Sequence, residues 1–378
     1  MIELVDLEKP LSLYIHVPFC KTKCGYCAFY SIPESQTQKE MVDKYYSIVK
    51  QKLEAFLCEF KRPFYTIFIG GGNPGLLGYE RLKELLTLAQ KYGKSEEVTI
   101  EINPENVNEE IFTLSPVLTR VSVGIQSFNQ DKLKVLERNT NAEANKRALS
   151  ILREMKERYG TVINGDLICC VPGESVNVLA DDISTLASFD VDHISMYSLA
   201  FEEGTRLTSR YAPLSDDEQI TMMRSAQELL SSLGFEHYEV SAYAKNGAYC
   251  RHNQVYWNLG QYIGFGPTAE SSLGYKNVVS MREKSCIEEY LKKPEFDAVP
   301  LTNIEAQEEY LLTTLRTKTG IDKEEYKARF DTDFDSLYKE AIEESDPTFY
   351  VDNKDRFAIT EEGVMMLDTI IFKLFCNL

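Results

Sequence analysis

The chain has 378 residues, enough for two or three domains and a sizeable core. Its 41 Lys and Arg stand against 59 Asp and Glu, and the net charge of −18 argues against general nucleic-acid binding or docking on an anionic membrane through basic patches. No run approaches the ~20 apolar residues of a membrane span. The acidic N-terminal stretch lacks a cationic segment followed by an apolar core, so a cytoplasmic protein with reduced cysteines is expected.

Strands are expected at 11–17, 64–69, 97–102, 120–124, 161–168 and 192–199, where β-branched and aromatic runs end in Gly, Pro or polar residues. Helices are expected at 38–60, 79–92, 142–158, 176–188 and 217–233. In 142–158, Ala144, Ala148, Leu149, Ile151, Leu152 and Met155 fall mostly on one face. Strand then helix, read six times, predicts a parallel α/β sheet with right-handed crossovers, a partial (β/α)6 TIM-like barrel over 1–235. Beyond 235 the rhythm changes. Residues 235–278 are rich in Tyr, Gly and Asn and read as strands and loops, and 302–378 read as helices with a β element near 348–359. A smaller C-terminal α+β region over 236–378 is therefore expected, with Val364, Leu367, Ile371, Leu374 and Phe375 as a core-packing stripe.

Each expected strand runs into polar or glycine residues with no core role. The first leads to Cys20, Cys24 and Cys27, the second to Gly70-Gly71-Gly72-Asn73-Pro74, and the third to Glu101 and Asn103. Gln126, Asp166 and Tyr197 follow on the next three. In a β/α barrel the C-terminal strand ends build the active site. Thiolates spaced C-x3-C-x2-C can hold three irons of a [4Fe–4S] cube, and no nearby fourth Cys closes it. The alternative is a structural zinc site made with His16, but no second cysteine knuckle is present.

With these residues in view, Tyr14-Ile15-His16-Val17-Pro18-Phe19-Cys20 followed by the cysteine spacing resembles the radical S-adenosylmethionine (radical SAM) superfamily. The resemblance implies a radical SAM barrel whose open iron is chelated by SAM, with one-electron cleavage of the sulfonium. It narrows to the oxygen-independent coproporphyrinogen III oxidase group. That match rests on Ile100–Pro104, Val123–Phe128, Arg138 and Asp166-Leu167-Ile168, and runs from Tyr14 to about Gly320. It implies that Tyr14, Gly71, Gly72, Asn73, Glu101, Gln126, Arg138 and Asp166 contact SAM, with Tyr26 near the adenine. Gly72→Val is expected to weaken SAM binding while sparing the cluster.

The group holds oxidases and a sister set of haem chaperones. Ala28 stands where the oxidases carry a further Cys, and only thirteen residues precede Tyr14. The segment Cys250-Arg251-His252-Asn253-Gln254-Val255-Tyr256-Trp257 matches the chaperones' H-N-x-x-Y-W motif. The resemblance implies a haem-binding chaperone with a [4Fe–4S] cluster and SAM. Its implied partners are haem, haem-accepting respiratory proteins and an electron donor. His252 is the candidate axial ligand if its ring stands clear of the core, with Cys250 competing and Tyr256 and Trp257 flanking the macrocycle. His193 and His237 read as structural. Two departures from the pattern are Asn73 in place of Thr and Cys169-Cys170 in place of Tyr-Gly; the latter is able to alter the pocket floor, but its expected role is that of buried small hydrophobes.

Overall fold

The structure, a computed structural model, describes residues 1–284 and 286–376. Its centre is a run of six parallel strands, β1 (Leu11–Val17), β2 (Thr66–Gly71), β3 (Glu97–Ile102), β4 (Arg120–Gln126), β5 (Val162–Cys169) and β6 (His193–Ser198), hydrogen-bonded in that order. One face of each strand carries the apolar residues that pack under the helices, such as Leu13, Ile15, Ile67, Ile69, Val121, Val123, Ile194 and Met196, all 1% exposed or less. The alternate positions, including Tyr14, Glu101, Ser122, Asn164 and Ser195, line an inner cavity of about 230 Å3. The sheet is thus a curved wall with a polar inside and an apolar outside.

The helices Lys39–Phe60, Tyr79–Ala89, Ala142–Tyr159, Val176–Ala187 and Asp216–Ser232 lie where the periodicity placed them. Local chemistry fixes their starts. Asn141 and Ser175 cap two of them, and Ser215 with Glu218 forms a capping box on a third. The third crossover departs from strict alternation. Between β3 and β4 the chain makes only 3-10 turns, at Pro104–Asn106 and Glu109–Leu114. Pro104 and Pro116, with asparagines at 103, 106 and 108, leave no uninterrupted stretch for a longer helix.

Residues beyond 235 continue the same sheet. Gln261–Phe265 pairs in parallel with β1, from Leu11↔Gln261 to Ile15↔Phe265, as a seventh parallel strand. Glu270–Leu273, Val279–Glu283 and Phe296–Pro300 extend that edge antiparallel. At the other edge Ala242–Ala244 pairs with β6, and Glu236–Glu239 follows it. Among the described residues the sheet therefore has twelve strands. A separate apolar cluster is built largely from residues after 300, including Tyr310, Leu311, Tyr326, Phe334, Tyr338, Phe357 and Ile371. The β element expected near 348–359 is Tyr350–Asp352 paired with Arg356–Ile359. The apolar stripe of the tail is buried at Leu367, Ile371 and Leu374. Positions 377–378 of that tail lie outside the described residues.

Candidate functional site

The cysteine loop leaves the C-terminal end of β1, and register sets what it meets there. Val17 pairs with Gly71, which brings the glycine run against the loop. Gly72 N donates to Val17 O at 2.7 Å and Asn73 N to Phe19 O at 2.8 Å. A Cβ on Gly72 would lie 2.7 Å from Phe19 O and 3.0 Å from Cys20 Sγ. Gly71 sits at φ +108°, where a side chain would also strike the His16 ring at 2.5 Å. These glycines therefore seat the cysteine loop, and Gly72→Val is expected to disturb the thiols as well as any SAM. That corrects the expectation of an intact cluster.

Cys20, Cys24 and Cys27 are all partly exposed free thiols. Burial pushes the Cys20 thiol up to about 11, with Cys27 and Cys24 adding to the rise. His16 is not a fourth ligand. Its Nε2–H donates to Tyr30 O at 3.0 Å, leaving Nδ1 to accept from the Tyr14 hydroxyl at 2.9 Å. Among the described residues no three His, Cys, Asp or Glu are grouped to hold a single metal ion. The donor set is three thiols beside an arginine, which suits a cluster more than a tetrahedral zinc. The loop is tied down from outside: Gly25 N donates to Leu136 O at 3.0 Å, and Leu207 N donates to Gly25 O at 2.9 Å. Arg206 donates to Lys23 O at 2.6 Å.

Around the loop stand most of the residues expected to meet SAM. Arg138 is half-buried. Its Nη1 reaches Cys24 Sγ at 3.4 Å, and Nη2 donates to Asn103 Oδ1 at 2.8 Å and Gly124 O at 2.7 Å. Its Nε is buried without a partner. The Glu101 carboxylate accepts from Gly71 N at 3.0 Å. Burial, then the nearby Asp166, pushes Glu101 up to about 7. Burial likewise raises Asp166 to about 6, against hydrogen bonds from Asn164, Ser195 and Ser122. Gln126 has φ +65° beside a bulge in the β4–β5 pairing between Gly124 and Gln126. Such bulges re-aim a side chain. Among the described residues its amide has no hydrogen-bond partner. Tyr26 packs against Leu136, Ile168, Val171, Leu199 and Leu207.

Three residues singled out by the sequence are spent inside the protein. Asn73 is 0% exposed; its amide donates to Asn106 Oδ1 at 2.7 Å, and its Oδ1 accepts from the backbone N–H groups of Gly75 and Asn103. It caps the turn Pro74–Leu77, and no group is left for a ligand. Cys169 and Cys170 are buried in the apolar core, as expected of small hydrophobes. Cys169 Sγ lies 3.5 Å from Met223 Sδ and Cys170 N 3.3 Å from Met222 Sδ, packed under the helix Asp216–Ser232.

The larger correction concerns His252. The motif forms a short helix, Arg251–Trp257, at the N-terminal end of the strands, opposite the cysteines. His252 is 0% exposed and its ring stacks on Phe68, with centroids 5.0 Å apart. Nδ1 bonds to Thr66 Oγ1 and Nε2 to the Tyr256 hydroxyl, both at 2.7 Å. Burial pushes its pKa down to about 3. With both nitrogens engaged, the ring does not stand clear of the core. Cys250 is buried as well, 3.6 Å from Glu97. Asn253 and Tyr256 close the bottom of the inner cavity.

Sequence reasoning missed the groups that hold this plug. Glu97 accepts from Arg251 N at 3.1 Å and His252 N at 3.0 Å, capping the helix from another element. A chain of donors then runs up the barrel interior: Cys250 N to Tyr238 OH at 3.1 Å, Tyr238 OH to His193 Nε2 at 2.7 Å, His193 Nδ1 to Asn164 Oδ1 at 2.6 Å, and Asn164 Nδ2 to Asp166 Oδ1 at 2.7 Å. Polar residues at alternate positions of β4, β5 and β6 (Arg120 and Ser122, Asn164 and Asp166, His193 and Ser195) were the available signal.

Comparison with known proteins agrees with this layout. Residues 14–186 match the model of the radical SAM superfamily, and 301–366 match that of the HemN C-terminal domain. A protein named haem chaperone HemW from Haemophilus influenzae is 31% identical, with 96% of this chain and 97% of its own length covered. The HemW of Lactococcus lactis is 28% identical over 98% of this chain and 99% of its own, and that of Escherichia coli 34% over 70% and 71%. The solved coproporphyrinogen III oxidase HemN of Escherichia coli, a radical SAM enzyme, has the same fold. Its TM-score is 0.82 at 19% identity, covering 98% of this chain and 91% of that one. Identity near 30% along almost the whole length, joined to the cysteine loop at the strand ends, makes this chain a member of the HemW family of radical SAM proteins.

Proposed function

We propose that the protein is a haem-binding chaperone that carries a [4Fe–4S] cluster and SAM and delivers haem to acceptor proteins, respiratory ones among them. The observation that carries the reading is the placement of the cysteine loop beside Gly71, Glu101, Gln126, Arg138 and Asp166 at one end of the barrel, in a chain whose relatives are named haem chaperones. Cys20, Cys24 and Cys27 would hold three irons, leaving one for SAM. Bound there, the cluster supplies a single electron. Arg138 places a cation beside Cys24 and suits a carboxylate; Glu101 and Asp166 offer acceptors to an ammonium and to ribose hydroxyls. An electron donor is the implied partner on this face. Residues 1–235 would carry the cluster and SAM, and 236–378 the haem motif. All nine cysteines are free thiols, which suits a reducing cytoplasm.

The second reading is an oxygen-independent coproporphyrinogen III oxidase, favoured by the fold shared with HemN. Ala28 speaks against it. One anaerobic preparation decides. The chaperone reading expects about four irons per chain, a Soret shift on haem titration and no protoporphyrinogen from coproporphyrinogen III with reductant and SAM. Multiple turnovers of that substrate would install the oxidase instead.

A further inference from the structure

The helix Arg251–Trp257 has a second side, turned away from the inner cavity, and there it borders an open cleft of about 470 Å3. Lys9, Arg251 and Arg329 line it, in a chain of net charge −18. Arg329 is only 4% exposed. Its Nη atoms donate to the carbonyls of Asn258 at 3.3 Å and Leu259 at 2.6 Å, and its Nε is buried without a partner. Among the described residues none of the three cations makes an ion pair with a carboxylate. Glu325 and the Tyr310 ring attract Arg329 without forming an ion pair, so its burial is only partly offset. Lys9 sits 3.8 Å and Arg329 5.0 Å from the centre of the Tyr275 ring, which holds the two cations near each other. The carboxylate in the lining, Glu325, is engaged by Tyr275. Gln254 Nε2 is a further buried donor without an acceptor. The remaining wall includes the apolar faces of Pro10, Val255 and Leu259.

We propose that this cleft binds the carboxylate-bearing edge of an iron porphyrin. The two propionates pair with Arg251, Lys9 and Arg329, and the ring edge lies along Val255 and Leu259. The proposal rests on the haem-binding reading and gives the family motif a different part in it. His252 and Tyr256 pin the helix from within, while its outer residues face the ligand. Three cations without an ion-pair partner suit an anion, and the apolar wall and the volume call for one larger than phosphate.

The test titrates the full, cluster-reconstituted chain with haem, with haem dimethyl ester and with inorganic phosphate as competitor. Arg251 and Lys9 are exposed, so a double variant, Arg251→Gln with Lys9→Gln, keeps the fold; Arg329→Gln is the buried counterpart. The expected result is haem bound about tenfold or more tighter than its ester, and a loss of about tenfold in the double variant that abolishes that preference. Millimolar phosphate is expected to leave haem in place. Equal haem affinity in the double variant and the wild type would overturn the assignment, as would equal affinity for ester and haem or displacement by phosphate. A wild-type chain that shifts the Soret band of neither porphyrin removes the haem reading itself, and the cleft assignment with it. Variant-insensitive binding of haem removes the cleft alone.

Discussion

Glu97→Ala isolates the hold on the motif helix. The carboxylate is 5% exposed and accepts from the backbone N–H groups of Arg251 and His252, with Arg120 Nη1 3.8 Å away. Removing it strands two buried donors, each costing about 1–3 kcal/mol, and leaves Arg120 with only its bond to Ala248 O at 3.0 Å. Breaking a buried ion pair from one side costs about 3–5 kcal/mol, and these costs overlap. A net loss of about 4 kcal/mol is expected, which raises the population with the helix undocked by about a thousandfold. Glu97→Gln keeps one acceptor and should lose about half as much. Amide hydrogen exchange over 250–257 reads this directly, with iron content and haem titration alongside. The expected pattern is lost protection at the helix, weakened haem binding and unchanged iron. Protection within about threefold of wild type would show that Glu97 does not hold the helix.

The remaining expectations concern the other end of the barrel. Alanine at Cys20, Cys24 or Cys27 should abolish the four-iron absorbance while circular dichroism stays unchanged, and a triple variant that still gathers four irons per chain refutes the ligand set. Gly72→Val should lose both cluster and SAM, because its Cβ would press on Phe19 O at 2.7 Å and Cys20 Sγ at 3.0 Å; reconstitution to full iron content would contradict this. Glu101 has a pKa of about 7, raised by burial and Asp166, so folding favours its protonated form. The native state then binds more protons than the unfolded one between the two pKa values, and the apo-protein should lose stability as pH rises from about 4.5 to 7. Glu101→Gln removes that slope and should stabilise the apo-protein at pH 8 by about 3 kcal/mol while weakening SAM binding; a urea midpoint unchanged at pH 8 would count against it.

Much of this protein was legible in the order of its residues. Apolar periodicity gave the six parallel strands and five of the helices, because each element must bury one face and that face is written at a period of about 2 or 3.6 residues. The cysteine spacing, the glycines and the carboxylate near the end of β3 were readable as site residues because the C-terminal strand ends of such a barrel converge whatever the loops do. The glycine run at 70–72 was legible for the same local reason, although its work proved to be seating the cysteine loop.

What required the tertiary structure was every decision made by partners distant in sequence. Gln261–Phe265 is a strand too short to declare itself, and only its pairing with β1 makes it part of the barrel sheet. Asn73 looks free until Asn103 and Asn106 are folded against it. His252 looks like a ligand until Thr66 and Tyr256 take its two nitrogens, and Glu97, 155 residues away, fixes its backbone. A side chain's hydrogen-bonding capacity is finite, so whether it is spent inside or kept for a ligand depends on which groups the fold brings within 3 Å. That is a property of the packing, and no local motif contains it.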